Sequence, residues 1–195
     1  MTGRREANKR RTRETLERAA FDLFLEQGYD QTSVTELAAA ADVAERTFFR
    51  YFATKDDVVF AKLDEDIDDF LRHLGAELRS DAPSWADIAR GVEAFCRHYE
   101  PEKAVTQRRS QLVMQTPFLA ERAHVGQAKW RQAMTTLLAE RYGRPTFDID
   151  VQLLAGAASA VLIAAFGHWV RSDEELHTLA RSAGDRIVGL LEGER

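Results

Sequence analysis

The chain has 195 residues, of which 45% are hydrophobic and 30% are charged, and its formal net charge is −5 at pH 7. This length allows one large core or one small and one medium core. By itself, the excess of acidic residues argues against a protein that binds nucleic acid. The single cysteine, Cys96, excludes a disulfide or a thiolate metal cage within one chain. It lies in an apolar segment, so we interpret it as a small buried hydrophobic residue.

The first thirteen residues concentrate positive charge. They hold six basic residues against one acidic residue, Glu6, which gives this segment a net charge of +5. We predict a flexible basic arm over residues 1–13 that is poorly ordered without a partner and is attracted to phosphate groups. The alternative is a solubilising tail with no partner. The basic residues are Arg4, Arg5, Lys9, Arg10, Arg11 and Arg13.

Residues 33–55 predict two short helices joined by a tight turn. Ser33 and Glu36 have the spacing of a capping box, in which each side chain accepts a backbone N–H of the other residue. Asp42 and Val43 form the turn. This layout beside a basic arm is typical of proteins that insert a helix into the major groove of DNA. The alternative is an ordinary helical hairpin with a solvated, charged face.

The second helix of this pair is predicted to have one buried and one exposed face. Helical steps of about 100° per residue place Phe48 and Phe52 together on the inner face. Arg46, Thr47 and Arg50 then face outward, where guanidinium groups suit the edges of bases.

The flanks of that outer face, and the residues after it, complete the predicted surface. Phe49 and Tyr51 lie on the two flanks, where an aromatic ring can touch a thymine methyl group. Thr54 has the features of an N-cap for a further helix. Lys55 lies at the start of that helix, and we expect its ammonium group to reach a phosphate.

The remainder of the chain predicts further helices and no strand. We expect one long amphipathic helix from Lys55 to about Arg79. Further helices are predicted over residues 85–99, 101–115, 117–142 and 148–171, with a last helix beyond 172. The chain is therefore all-α, with about nine helices. We expect no membrane span and no signal peptide, and hence a soluble, cytoplasmic protein.

The segment 148–171 is apolar nearly all round, so it must be buried on more than one side. The last helix is apolar along one face. Two consecutive helices of this kind indicate a partner surface, and the alternative is that both helices only close the core of a monomer.

Residues Leu16 to Lys55 resemble the DNA-binding domain of the TetR family of bacterial regulators. Two positions depart from the family pattern. Asp42 stands where the family has glycine, so a left-handed backbone there would cost about 1 kcal/mol. Phe49 stands where the family has tyrosine, so it cannot form a phenolic hydrogen bond. The matching residues are Leu16, Ala19, Ala20, Leu23, Phe24, Gly28, Tyr29, Ser33, Val34, Leu37, Ala38, Ala41, Val43, Thr47, Phe48, Phe49, Arg50, Tyr51, Phe52, Lys55 and Val58.

The resemblance implies a three-helix DNA-binding domain with a helix-turn-helix over residues 14–55, followed by a helical ligand-binding and dimerisation domain over 56–195. It also implies a homodimer on a palindromic or near-palindromic double-stranded operator. The predicted DNA-binding residues are Arg10, Arg13, Ser33, Thr35, Arg46, Thr47, Phe49, Arg50, Tyr51 and Lys55. The predicted dimer-interface residues are Val161, Ala165, Leu176, Leu179, Ala180, Ala183, Ile187 and Leu191.

Bulky apolar residues on four helices in the middle of the chain either fill a core or line a cavity, and their spacing leaves both alternatives open. The resemblance favours a pocket for a small-molecule effector. The later part of the chain also resembles an actinobacterial subgroup associated with acyl-coenzyme A ligands, which implies a mostly apolar effector with an anionic head. The predicted ligand-binding residues are Phe95, Tyr99, Arg108, Gln111, Met114, Phe118, Trp130, Met134, Leu162, Phe166 and His168.

We therefore predict a ligand-responsive transcriptional regulator, a repressor that its effector releases from the operator by tilting the 55–79 helix. A helical enzyme acting on an apolar substrate is one alternative. It lacks support because the sequence has no glycine-rich phosphate loop, nucleophile elbow or metal-ligand spacing, and we expect no catalytic residue, metal or cofactor. A helical adaptor that binds only protein is the other alternative, and it would not need the basic arm or the arginine face.

Overall fold

The computed structural model describes the backbone of residues 2–192 and the side chains of residues 7–189, and this part of the chain contains helices and no strand. The predicted all-α fold is confirmed. A short 3₁₀ turn, Glu100–Glu102, lies between the sixth and seventh helices. The ten α-helices of the described chain are α1 (Thr2–Gln27), α2 (Val34–Ala40), α3 (Glu45–Tyr51), α4 (Lys55–Val59), α5 (Leu63–Glu77), α6 (Trp85–Tyr99), α7 (Lys103–Gln115), α8 (Pro117–Tyr142), α9 (Ile149–Trp169) and α10 (Leu176–Glu192).

The chain divides into two compact units whose boundaries differ from the predicted domains. The first unit comprises the chain up to Lys62 together with Arg108–Glu121, and the second comprises Leu63–Gln107 and the chain from Arg122 onward. The predicted domains, 14–55 and 56–195, therefore differ from these units at residues 56–62 and 108–121, and the domain assignment stays a prediction. The end of α7 and the start of α8 belong to the first unit because their apolar residues are buried in its core.

The core of the first unit combines α1 to α4 with the corner between α7 and α8. Phe24 and Phe48 are its largest fully buried side chains. Leu112 of α7 and Leu119 of α8 are buried in the same cluster. Arg108 pairs with Asp22 of α1 at the surface of this unit. The α7–α8 corner is thus an integral part of the first unit.

The backbone of the basic segment is helical from Thr2 onward, whereas the sequence predicted a flexible arm over residues 1–13. Residues 4–27 contain neither glycine nor proline, and α1 runs through them until Gly28, which has a φ of 92°. Ion pairs one turn apart support this helix, among them Arg10–Glu14 at 3.6 Å. The side chains of Arg4 and Arg5 lie outside the described residues.

The helix predicted over residues 55–79 is divided in two, because α4 ends at Val59 and α5 begins at Leu63. Val58 and Val59 are buried in the core of the first unit, whereas α5 buries its residues in the core of the second. In the break between the two helices, the carbonyl oxygen of Ala61 accepts a hydrogen bond from the Arg13 guanidinium group. This break adds one helix to the predicted number, and the expectation of a single helix from Lys55 to about Arg79 is wrong.

The second unit packs α5, α6, α9, α10 and most of α8 around an aromatic cluster. The ring of Phe70 lies 5.3 Å from that of Phe95 and 5.0 Å from that of Trp130, centroid to centroid. Helices α5 and α6 approach closely at Gly91, where a Cβ atom would lie 2.7 Å from the Cα of Leu74. Only glycine allows this approach without displacement of α5.

A buried carboxylate fixes the connection between α5 and α6. Asp87 accepts hydrogen bonds from the backbone N–H groups of Ser80 at 2.7 Å and Arg79 at 2.8 Å, and it pairs with Arg90. The hydrogen bond from the Ser80 backbone is the main cause that lowers the pKa of Asp87. The ionised carboxylate therefore stabilises this connection at neutral pH.

Helix α9 has two apolar faces, of which only one is buried in the second unit. Its exposed face carries Ile149 and Leu153, whose side chains are 72% and 64% exposed, and Ile163, which is 50% exposed. By length and composition α9 could cross a bilayer, which corrects the expectation that no stretch qualifies. Here, however, its other face packs in a protein core. The buried residues of that face are Val151, Ala155, Ala158, Val161, Leu162, Ala165 and Trp169.

Candidate DNA-recognition surface

Helix α2 begins with the predicted capping box. The Ser33 hydroxyl accepts the Glu36 backbone N–H at 3.2 Å, and the Glu36 carboxylate accepts the Ser33 backbone N–H at 2.8 Å. The Ser33 hydroxyl also donates to that carboxylate at 2.7 Å. The hydrogen bond from the Ser33 backbone is the main cause that lowers the pKa of Glu36. Ser33 therefore has a structural role in the cap, and its predicted contact with DNA stays a prediction.

The turn between α2 and α3 adopts the strained geometry predicted from its sequence. Asp42 has a φ of 54°, the only positive value among the described non-glycine residues. The N–H of Val43 donates to the carbonyl oxygen of Ala38 at 2.9 Å, which closes the turn. A left-handed aspartate thus replaces glycine without altering the helix-turn-helix.

The predicted orientation of α3 is confirmed. Phe48 is fully buried and Phe52 is 4% exposed, and their ring centroids lie 5.6 Å apart. Arg46 and Arg50 are exposed on the opposite face, and Thr47 is half-buried. The burial of the two phenylalanines fixes the rotation of α3, so both guanidinium groups point to solvent.

Two aromatic residues flank the arginine face of α3. The guanidinium carbon of Arg50 lies 5.2 Å from the centroid of the Tyr51 ring, which limits the freedom of the arginine. Phe49 is 53% exposed and packs edge-on against Phe48 at 5.6 Å. An exposed phenylalanine beside a cationic face can contact a thymine methyl group.

An acidic residue that the sequence analysis did not include also lies on this surface. Glu45, the first residue of α3, accepts a hydrogen bond from the Thr35 hydroxyl of α2 at 2.6 Å. Both residues are exposed. Glu45 is four positions before Phe49, so helical spacing alone places it on the same flank. That spacing was the available signal for this residue.

Lys55 is held by the first unit itself. Its ammonium group donates to the carbonyl oxygens of Tyr29 at 2.7 Å and Thr32 at 3.0 Å. It also lies 4.3 Å from the centroid of the Tyr29 ring. Two of its three donors therefore join the start of α4 to the segment between α1 and α2. This role was not predicted, and the phosphate contact of Lys55 stays a prediction.

The two predicted arginines of α1 differ in their surroundings. Arg13 is half-buried, pairs with Glu17 at 3.1 Å and lies 6.0 Å from the centroid of the Phe52 ring. Its contacts are thus with the first unit. Arg10 is exposed and pairs only loosely with Glu14, so of the two it is better placed to contact a phosphate.

The structure does not bring the predicted ligand-binding residues together in one unit. Arg108, Gln111, Met114 and Phe118 belong to the first unit. His168 is exposed on α9, with its Nε2 atom 2.9 Å from a Glu174 carboxylate oxygen. The periodicity of a helix does not show which core each of its ends joins, so the two units divide this set, and its role in ligand binding stays a prediction. The remaining six lie in the core cluster of the second unit or against it: Phe95, Tyr99, Trp130, Met134, Leu162 and Phe166.

The predicted dimer-interface residues differ in how far they are buried within the chain. Four are buried within the chain itself, and three pack partly against the core of the second unit. The side chain of Leu191 lies outside the described residues. The half-buried three keep some exposed surface, so the role of these residues in a dimer interface stays a prediction. The buried four are Val161, Ala165, Leu176 and Ala180, and the partly buried three are Leu179, Ala183 and Ile187.

Comparisons with known proteins match two separate stretches of the chain to family profiles. The family profile described as bacterial regulatory proteins, tetR family, matches residues 17–61. The profile described as MftR C-terminal domain matches residues 82–191. The first match contains the helix-turn-helix, and the second covers more than half of the chain.

Relatives and solved structures match over most of their length. MftR of Mycobacterium tuberculosis H37Rv is 29% identical over 176 residues, which cover 87% of this chain and 85% of that protein. The HTH-type transcriptional regulator TcmR of Streptomyces glaucescens is 30% identical over 190 residues, covering 91% and 82%. The structure of FadR from Bacillus subtilis in complex with stearoyl-CoA matches with a TM-score of 0.60 and 19% identity, covering 90% of this chain and 97% of that one. At that identity the structural match shows the fold alone.

Proposed function

The chain belongs to the TetR family of bacterial transcriptional regulators, and from this we propose that it represses transcription as a homodimer that an effector releases from its operator. It is a regulator and not an enzyme. The observation that carries the proposal is the orientation of α3, with two phenylalanines buried and two arginines exposed.

The outward face of α3 is proposed to enter the major groove. Arg46 and Arg50 are the candidates for hydrogen bonds to guanine, which arginine contacts through two acceptors at once. The net charge of −5 does not oppose this, because binding depends on the charge near the DNA. Residues 1–13 hold six basic residues and one acidic residue. Among these basic residues, Arg10 is proposed to contact a phosphate.

The exposed face of α9 is proposed to be the dimer interface. Ile149, Leu153 and Ile163 recur at helical spacing along this face, together with the exposed small residues Ala160 and Ala164. Small residues let two copies of a helix approach closely, and a two-fold axis lets one apolar face cover its own copy. A dimer also matches a palindromic operator, since each half-site receives one α3.

The effector is proposed to be a mostly apolar molecule with an anionic head, such as an acyl-coenzyme A. The finding that supports this is the complex of the FadR neighbour with stearoyl-CoA. Within this chain, the aromatic residues between α6, α8 and α9 are the proposed surroundings of the acyl chain. Phe95, Trp130 and Phe166 are the candidates for its contacts.

Release requires that the effector prefer the form of the protein that does not bind DNA. A preference of a few kcal/mol is sufficient to shift the population from one form to the other. The chain passes from one unit to the other after the break at 60–62, within helix α7 and within helix α8. Helices α7 and α8 each have residues in both units. These connections are the proposed route of the signal. We place the protein in the cytoplasm, where its DNA target is.

Selection of bound duplexes from a random pool, followed by mobility shifts at increasing salt, tests the proposal. We expect enrichment of a palindromic sequence and an affinity that falls steeply with salt. Stearoyl-CoA should then release the duplex, with free coenzyme A as the control. A protein that enriches no sequence and shifts no duplex at low salt would contradict the proposal and favour a protein-binding adaptor.

A further inference from the structure

Glu45 places a negative charge on the surface that the proposed function turns toward DNA. It is exposed at the start of α3, adjacent in sequence to Arg46 and on the same helix as Arg50. Phosphate groups repel a carboxylate, so an acidic residue here weakens binding to every sequence unless a base donates a hydrogen bond to it. Among base edges in the major groove, the exocyclic amine of cytosine is the usual donor to glutamate.

The carboxylate of Glu45 is not free to turn away. The Thr35 hydroxyl donates to it at 2.6 Å, from one helix to the next across the helix-turn-helix. A hydrogen bond to an ionised acceptor is stronger than one between neutral groups and holds the side chain in one direction. One carboxylate oxygen thus anchors the group, and the second retains lone pairs for another donor.

Phe49 lies on the same flank of α3, one turn after Glu45. Its ring is 53% exposed, although it packs edge-on against buried Phe48. The flank therefore presents an acceptor and an apolar ring one helical turn apart, about 5–6 Å between Cβ atoms. These two groups match the two features that distinguish pyrimidines in the major groove, the cytosine amine and the thymine methyl group.

We propose that Glu45 reads a cytosine in each half-site, that Phe49 contacts the methyl group of a nearby thymine, and that Thr35 is the positioning residue for Glu45. This inference rests on the proposed DNA-binding function and names residues that set its sequence preference. It explains why an acidic side chain stands beside two arginines on this surface.

The test is selection from a random duplex pool with four proteins: the unaltered chain, Glu45→Gln, Thr35→Val and Glu26→Gln. Glu26 is an exposed residue of α1, so its variant makes the same change of charge outside the helix-turn-helix. We expect the unaltered chain and Glu26→Gln to select the same sequence, with cytosine at one position of each half-site. Glu45→Gln should shift that position toward adenine, because glutamine pairs with the adenine edge.

Affinities for duplexes that differ only at that position give the magnitude. We expect the unaltered chain to prefer cytosine by roughly tenfold, the value of one base contact, and Glu45→Gln to abolish that preference. Thr35→Val should reduce it without changing preferences elsewhere, and Thr35→Ser, which keeps the hydroxyl, should restore it. Circular dichroism of each variant establishes that it is folded.

Two different results would overturn the inference. If Glu45→Gln binds all sequences more tightly and selects the same bases, the carboxylate only repels phosphates. If Thr35→Val and Thr35→Ser behave alike, the hydroxyl does not position Glu45. A failure of the proposed function itself is distinguishable, because the unaltered chain would then select no sequence at all.

Discussion

Replacing Lys55 with methionine separates a structural role of its ammonium group from a contact with phosphate. Methionine keeps an unbranched, apolar side chain and removes the charge together with all three donors. The structure uses two of those donors, on the carbonyl oxygens of Tyr29 and Thr32, and places the ammonium group over the Tyr29 ring. The variant leaves both carbonyl groups without this partner.

The cost follows from these contacts. A hydrogen bond that involves a charged group contributes about 1.5–3 kcal/mol when buried, and a cation over an exposed aromatic ring contributes about 0.5–1 kcal/mol. Lys55 is half-buried, so solvent weakens each contact. We therefore expect Lys55→Met to lower the free energy of unfolding by about 2–4 kcal/mol.

Urea unfolding followed by circular dichroism measures this loss, and mobility shifts at several salt concentrations measure the phosphate contacts. Lys129→Met is the matched control, because Lys129 forms an exposed ion pair with Asp64 at 3.6 Å that contributes little. We expect Lys55→Met to lower the urea midpoint well below that of Lys129→Met, whether or not the salt dependence of DNA binding changes. An unchanged midpoint with a salt slope reduced by about 0.9 would refute this reasoning and establish the phosphate contact.

Three further outcomes are expected. Arg50→Ala removes an exposed guanidinium group and should weaken operator binding by about 1–3 kcal/mol and relax its base preference. Mobility shifts on duplexes with single base substitutions measure both effects. If the unaltered chain and the variant each bind all these duplexes equally well, the arginine face does not read bases. Leu153→Arg should give folded monomers in sedimentation, whereas Ala183→Arg should mainly destabilise the chain, because Ala183 packs against the core of the second unit. A Leu153→Arg protein that remains a dimer would exclude the exposed face of α9 as the dimer interface. The pKa of Asp87 is lowered from 3.8 on folding, so its carboxylate stabilises the fold above about pH 4, and this stabilisation is lost as pH falls through the lowered pKa. Asp87→Asn should lower the free energy of unfolding by about 1–3 kcal/mol at pH 7 and should make that free energy less dependent on pH in acid. An unaltered pH dependence in acid would contradict this.

The helix-turn-helix was predictable because its signals are local. The capping box depends on residues three apart, and the rotation of α3 depends on two phenylalanines four apart. The left-handed backbone at Asp42 was predicted from the resemblance, because Asp42 stands where the family has glycine. Each of these features depends on residues within about ten positions of one another, so it can be predicted without knowing which distant residues pack nearby.

The assignments that required distant partners were less successful. Lys55 was expected to face DNA because its position at a helix start is visible in the sequence, whereas the carbonyl oxygens that it contacts lie 23 and 26 positions earlier. The spacing of Glu45 to Phe49 could have placed it on this surface, but its hydrogen bond to Thr35 joins two helices and was visible only in the tertiary structure. Arg108 was grouped with the effector residues, although it pairs with Asp22 of α1.

The sequence by itself determined the family, the all-α fold and the face of α3 that is exposed, because periodicity, capping and turn residues act over one or two turns of chain. Tertiary structure decided which core receives each end of α7 and α8, where the helix after Lys55 breaks, and which side of α9 stays exposed. These depend on burial against residues far away in the sequence, and two apolar faces on one helix look alike until a core has formed around one of them.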